Sequence, residues 1–205
     1  MTKKMDDNIN LPTQIPIFPL PNALLLPGGQ LPLNIFEPRY LAMVDDALGH
    51  PDRLIGMVQP MEEQNSLFGI GCAGRIGYFQ ETDDGRYMIA LNGVCRFRLG
   101  GHEQTEPGYR LADVSWDEFA ADLQDPLEGI ADRDRMFTIM RRYFAARGFD
   151  ADWDQIERSE DEQILNTLAM VCPFEVAEKQ ALLEADGMAR RADLLIAMME
   201  MALHE

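Results

Sequence analysis

The sequence predicts an α+β fold: a β-barrel-like lobe followed by a small α-helical bundle. Three observations predict it. The first half is a series of short apolar runs punctuated by Gly and Pro, the pattern of many short strands joined by turns. After Trp116 the apolar residues recur at helical spacing instead. Charge changes at the same place: residues 1–116 carry 9 basic against 14 acidic groups, and residues 117–205 carry 9 against 21. The expected organisation is a leader at 1–12, a β lobe at 13–116 interrupted by one helix near 38–48, and a helical lobe at 117–205.

The strands come in order. IPIFPL (15–20) and ALLLP (23–27) flank the turn signal Pro21-Asn22, and LPLNIF (31–36) follows Gly28-Gly29. LIGMVQ (54–59) is continuously apolar between His50-Pro51 and Pro60, as expected of a strand buried on both faces. GIGCAGRIGYFQE (69–81) leads into Asp83-Asp84-Gly85, a hairpin turn, and then YMIALNGVCRFRLG (87–100), where Asn92-Gly93 marks a bend or a second turn. YRLADVSW (109–116) alternates.

Within the β lobe, PLNIFEPRYLAMVDDALGHP (32–51) turns a strand into a helix. Pro38 suits a first helical turn, where its missing N–H costs nothing. Leu41, Val44 and Leu48 give an apolar stripe, Gly49 is the expected C-cap and Pro51 prevents continuation. Glu37 favours the positive end of the helix dipole. Arg39 opposes it by a few tenths to about 1 kcal/mol, so a specific partner is expected, a carboxylate or strand-end carbonyls.

Four helices are expected after an acidic linker, DEFAADLQDPLEG. In 130–146, Ile130, Arg133, Met136, Phe137, Met140, Tyr143 and Phe144 share a face, and Gly148 stops the helix. SEDEQILNTLAMVC (159–172) opens with Ser159 and Glu162 as a capping box. PFEVAEKQALLEA (173–185) places Pro173 in a first turn. MARRADLLIAMMEMAL (188–203) is amphipathic.

Composition excludes several function classes. The chain has 205 residues, 46% hydrophobic and 26% charged, with a net charge of −17. That charge disfavours nucleic acid, which needs a basic surface to release counterions, and anionic membranes. No apolar run approaches the roughly 18 residues of a membrane span. MTKKMDDNINLPTQ lacks the apolar core of a secretory signal, so the expected location is the cytoplasm. Cys72, Cys95 and Cys172 are an odd set without a CxxC, which argues against disulfides and zinc; they are expected as small buried hydrophobes.

Catalytic chemistry finds no footing. His50, His102 and His204 have no metal-type i, i+4 partner, and HEQTE (102–106) is not HExxH. No G-x-S-x-G and no Walker-type G-x-x-x-x-G-K-[ST] occurs. Gly69, Gly71, Gly74 and Gly77 lie inside a strand-like run with no helix start after them, so close packing or bulges are expected rather than a phosphate cradle. The pairs Asp45-Asp46, Glu62-Glu63 and Asp83-Asp84 are expected as solvated surface charge. No catalytic residue, cofactor or metal site is assigned.

The order of motifs resembles the N-terminal substrate-binding domain of the Lon proteases, which also occurs as a stand-alone protein and in cereblon. The resemblance rests on IPIFPLPNALLLPGGQLPLNIFEPRY, IGMVQP, LFGIGCAGRI, DDGRYMIALNGVCRFRL and EKQALLEADGMARRADLL, spread over about residues 13 to 200. It implies a PUA-like β barrel followed by a helical bundle. It does not bring peptidase or ATPase activity, because the chain carries neither module. It implies a non-catalytic module of bacterial type that binds unfolded polypeptide clients or a protein partner, through an apolar groove on the β lobe or the cleft between lobes. Phe36, Arg39 and Tyr40 are the candidate partner-binding residues. Met188, Met198, Met199 and Met201 offer a soft surface, helix-packing core, or a face for a second copy of the chain. Two alternatives stay open: a PUA-like domain that binds a small molecule or modified nucleotide, and a regulator that competes with full-length Lon.

Overall fold

The computed structural model describes residues 11–61, 66–124 and 129–204. Most of the expected leader and the Glu62-Glu63 pair lie outside the described residues. The architecture is α+β, as expected: a six-stranded mixed sheet with helices packed against it.

The strands are β1 (Gln14–Pro19), β2 (Gln30–Ile35), β3 (Leu54–Val58), β4 (Ile70–Glu81), β5 (Tyr87–Gln104) and β6 (Arg110–Ser115). Their order is β2-β5-β4-β3-β1-β6, with β5 also paired to β6. Arg98 of β5 is paired with Ile70 of β4 and with Ser115 of β6, which closes β5, β4, β3, β1 and β6 into a ring. Among the described strands only β1 and β3 pair in parallel. Closure removes the open edges a flat sheet would expose. Ile15, Ile17, Leu54, Val58, Ala73, Phe97, Ala112 and Val114 form one buried cluster drawn from all five ring strands, which is the filling of a small barrel.

β5 is one continuous strand of 18 residues. Asn92-Gly93 is the bend, not a second turn. Up to Asn92 the strand pairs with β2; beyond it the outer edge is taken by β6. The register slips opposite Ala73/Gly74, a bulge that turns the strand. Gly93 sits against the backbone of the 26–29 segment, where an added Cβ would meet the Leu26 carbonyl oxygen at 2.0 Å. The expected strand at 23–27 is therefore irregular chain: Leu24, Leu25 and Leu26 are buried, but the segment pairs only at Gly28 and Gly29 with Gly93. The glycines of β4 act as packing positions. A Cβ on Gly71 would lie 2.5 Å from the Phe97 ring, and one on Gly77 2.3 Å from the Asn92 amide.

The helices are α1 (Pro38–Gly49), α2 (Arg133–Arg147), α3 (Trp153–Arg158), α4 (Asp161–Val171), α5 (Val176–Glu184) and α6 (Gly187–Ala202), with a 3-10 segment over Asp117–Leu123 in the expected linker. α1 starts at Pro38 as predicted, but it runs through Gly49 and ends on extended His50. Its buried face is Tyr40, Met43, Val44 and Ala47, one residue round from the expected stripe. α2 does end on Gly148, in the left-handed region at φ 68°. Two caps differ from expectation. Ser159 is the C-cap of α3, which the sequence reading lacked, and α4 is preceded by Glu160. The capping box belongs to α5, between Glu175 and Glu178, so Pro173 lies outside that helix.

One large buried cluster runs from α1 and the barrel wall through α2, α4, α5 and α6. Across it lies a polar seam. Asn166 Nδ2 donates to the Pro27 carbonyl (2.8 Å) and Lys179 Nζ to the Asn22 carbonyl (2.9 Å). Gln180 Nε2 donates to the Ile70 carbonyl (3.1 Å) and Gln59 Nε2 to Gln180 Oε1 (3.2 Å). Burying such groups is tolerable only when they are bonded, so they fix how the helices sit on the barrel.

Candidate functional site

Of the three residues singled out in the sequence, the structure leaves two exposed and buries one. Phe36 is 62% exposed, with the Arg86 guanidinium 5.9 Å from its ring centre. Arg39 lies over the Tyr40 ring at 4.5 Å and binds Glu37: Nε donates at 3.0 Å and a terminal nitrogen approaches the same carboxylate oxygen at 2.8 Å. The partner expected for Arg39 is thus its own neighbour two residues back, on the surface. Tyr40 is only 7% exposed and packs on Phe18 with ring centres 4.2 Å apart. Burial pushes its phenol above the ordinary range. Arg39 and Tyr40 line a polar cavity of about 430 Å³ with Tyr109 and Arg110, while Phe36 is not part of it.

A larger and more apolar concavity lies elsewhere, among the helices. This groove of about 720 Å³ runs between α2, α3 and α4. Met140 and Phe144 of α2 and Ile164 and Leu168 of α4 form its floor; Ile156 of α3 and Phe149 of the preceding loop form its wall. The wall is backed by aromatic packing: Phe144 touches Phe149 (5.6 Å between ring centres) and Trp153 (5.5 Å), and Arg141 lies 4.2 Å over Trp153. Val171, at the last turn of α4, is 76% exposed, and Phe149 is 40% exposed. Two such side chains on the rim of an apolar groove are the kind of exposed patch that marks an interaction surface.

Cys172 also lines the groove. Burial raises its thiol to about 11, partly offset by the nearby Lys179 ammonium, so it stays protonated and weakly nucleophilic. Cys72 and Cys95 are also buried and unpaired in disulfides. Among the described residues no cluster of three or more His, Cys, Asp or Glu could hold a metal. Asp45 and Asp46 are both exposed, as surface charge would be, and Asp46 Oδ2 also accepts the Tyr109 hydroxyl at 2.6 Å. In the last helix Met199 is fully buried, Met188 and Met198 pack against the core, and only Met201 is exposed, so packing accounts for most of that run.

Sequence reasoning missed the groove because it missed α3. The signal was present but short: Asp152 caps the helix by accepting the Gln155 N–H (3.0 Å), and only six residues follow.

Comparison with known proteins agrees with this architecture. The Lon N-terminal domain protein from Xanthomonas campestris superimposes with a TM-score of 0.63 at 26% identity, covering 90% of this chain and 98% of that one. The N-terminal domain of Mycobacterium avium complex Lon protease shares the fold at a TM-score of 0.62 and 16% identity, covering 91% and 98%. The Lon protease of Cytophaga hutchinsonii is 26% identical across 95% of this chain, and the chain spans 25% of that relative's length. Among the described residues no helix is long and apolar enough to cross a membrane. The family model of the ATP-dependent protease La (LON) substrate-binding domain matches residues 14–201, and the chain belongs to that family.

Proposed function

We propose that this chain is a non-catalytic recognition module of the cytoplasm. It binds apolar segments of unfolded polypeptide clients, or of a protein partner, in the groove between α2, α3 and α4. Family membership supports a substrate-recognition role. The observation that carries the placement is the groove itself, with Val171 and Phe149 exposed on its rim. A client side chain buried there gains about 25 cal/mol per Å² of apolar surface, less the cost of ordering the groups that meet. Recognition would use side-chain insertion between helices, not the strand addition that a β-lobe groove would use.

The test is fluorescence anisotropy with a labelled, reduced and alkylated polypeptide that cannot fold. The wild type is expected to bind and Val171→Glu to bind about tenfold more weakly, with its far-UV spectrum unchanged because the side chain is exposed. Absence of binding by the wild type, or equal binding by the variant, would overturn the reading.

A second contact surface is favoured by the exposure of Phe36. In this reading Phe36 and Arg39 meet a partner directly, and buried Tyr40 holds Arg39 in place beside it. Phe36→Ser would then weaken partner capture and leave Val171-dependent binding intact.

A further inference from the structure

The groove is not electrically neutral at its open end. It continues, through Gln155, Ser159 and Gln163, into a polar shelf that also presents Asp152, Asp154, Glu160 and Arg158. Asp150 stands on the groove wall itself. Groove and shelf together hold four carboxylates against one guanidinium. Asp152 is engaged as the α3 cap. The acidic groups behind the shelf are neutralised within the fold: Glu157 pairs with Arg141 (2.5 Å) and Asp161 with Arg133 (2.9 Å). Asp150, Asp154 and Glu160 are different. They are exposed, on α3 and its flanking loops, and among the described residues none of them is ion-paired as Glu157 and Asp161 are. The chain thus places matched pairs where it needs structure, and unmatched negative charge around the one apolar groove rim described above.

We infer that the groove selects apolar segments flanked by lysine or arginine, and discriminates against the same segments flanked by aspartate or glutamate. The inference rests on the groove being the client site, and it adds the class of client. The physical basis is complementarity across an interface rim. Apolar side chains supply the affinity by burial in the groove. Cationic flanks reaching the shelf raise the encounter rate, and anionic flanks are repelled at close range. Rim charges of this kind are screened by salt, whereas the apolar contribution is not. A net charge of −17 over the whole chain reinforces the sign at long range, but it cannot by itself make the preference depend on three particular carboxylates.

Three labelled peptides with one apolar core, flanked by Lys, by Ser or by Glu, separate the two readings in an anisotropy titration. The Lys-flanked peptide is expected to bind about fivefold to tenfold more tightly than the Ser-flanked one, and the Glu-flanked one more weakly still. The spread should collapse in about 0.5 M salt. It should also collapse in the triple variant Asp150→Asn, Asp154→Asn, Glu160→Gln, whose far-UV spectrum should match the wild type because all three side chains are exposed. Equal binding of all three peptides, each abolished by Val171→Glu, would overturn the charge selection and leave the groove as the client site. A spread that survives the triple variant would assign the preference to the whole-chain field and overturn the inference. No binding of any peptide would overturn both.

Discussion

Arg96 and Asp122 form a two-pronged ion pair inside the protein: Arg96 Nε donates to Oδ2 at 2.9 Å and a terminal nitrogen to Oδ1 at 2.8 Å, with the side chains 9% and 10% exposed. The remaining terminal nitrogen donates to the carbonyls of Leu183 (3.1 Å) and Ala185 (2.9 Å), where α5 ends. One guanidinium therefore ties together strand β5, the 3-10 segment and the helical half. Asp122 also accepts the Arg96 backbone N–H at 3.0 Å.

Removing one partner should cost more than removing both. Asp122→Ala leaves a buried guanidinium without its counter-charge and is expected to destabilise by about 3–5 kcal/mol. Arg96→Met with Asp122→Leu takes away both charges but orphans the Leu183 and Ala185 carbonyls, so part of the loss remains and the saving is about 1–2 kcal/mol. Urea unfolding of the two variants against wild type checks the order; an equal or larger loss in the double variant would mean that the bonds to the end of α5, not the counter-charge, set the cost.

The close approach at Gly93 gives a second expectation. A methyl group there must displace the Leu26 carbonyl, and the bulge that bends β5 would be lost with it. Gly93→Ala is expected to lose about 3 kcal/mol or more and to lower the melting temperature by roughly 6–12 degrees or more, or to fail to fold. Gly69→Ala, whose added Cβ would find nothing nearer than an Arg98 side-chain atom at 3.7 Å, is the control and should be mild.

These two cases mark what was legible in the sequence and what was not. Periodicity is a local signal, so the strands around Ile17, Met57 and Val114 and the helices around Met140 and Leu195 could be read directly. Glycine spacing in 69–77 pointed to packing because no helix followed it. The seam was not legible. Arg96 and Asp122 are 26 residues apart, Gln59 and Gln180 121 apart, and nothing in either neighbourhood names the other. The same holds for the groove, which needs Phe149, Ile156 and Val171 brought together from two helices and a loop. The Phe36-Arg39-Tyr40 junction stood out by its letters, yet Tyr40 is core because the buried face of α1 lies one residue round from the expected stripe.

The buried thiols and phenols set an alkaline limit on stability. Burial and the neighbouring Asp122 carboxylate raise Cys95 to about 12, and burial and the hydrogen bond to Asp46 raise Tyr109 to about 12; Cys172 is raised to about 11. Folded values above unfolded ones mean that the native state holds these protons more tightly. Their contribution is complete below the unfolded values and is lost as pH rises through the folded ones. Lys179, lowered by burial, acts with the opposite sign but is a single group. The urea midpoint should thus be flat from about pH 7 to about pH 8.5 and fall steadily above about pH 9.5. Over the flat range all three cysteines should be silent to a thiol reagent until the protein is unfolded.

Two helix-end glycines look alike in the sequence, and the structure predicts opposite outcomes for them. Gly148 ends α2 in the left-handed region, at φ 68°, where its N–H donates to the Ala145 carbonyl and the following Phe149 N–H to Phe144. No atom lies near an added Cβ, so Gly148→Ala costs backbone strain alone, about 1 kcal/mol. Gly49 lies within α1, with open space around it and no positive φ. Alanine there narrows the unfolded ensemble and suits the helix, so Gly49→Ala should stabilise by about 0.5–1 kcal/mol. Gly148 also sets the path of Phe149 into the groove wall. Gly148→Ala should therefore weaken client binding in the anisotropy assay as well as lower the urea midpoint, whereas Gly49→Ala should raise the midpoint and leave binding unchanged. If Gly148→Ala bound clients as wild type does, the turn after α2 would matter to stability but not to the groove.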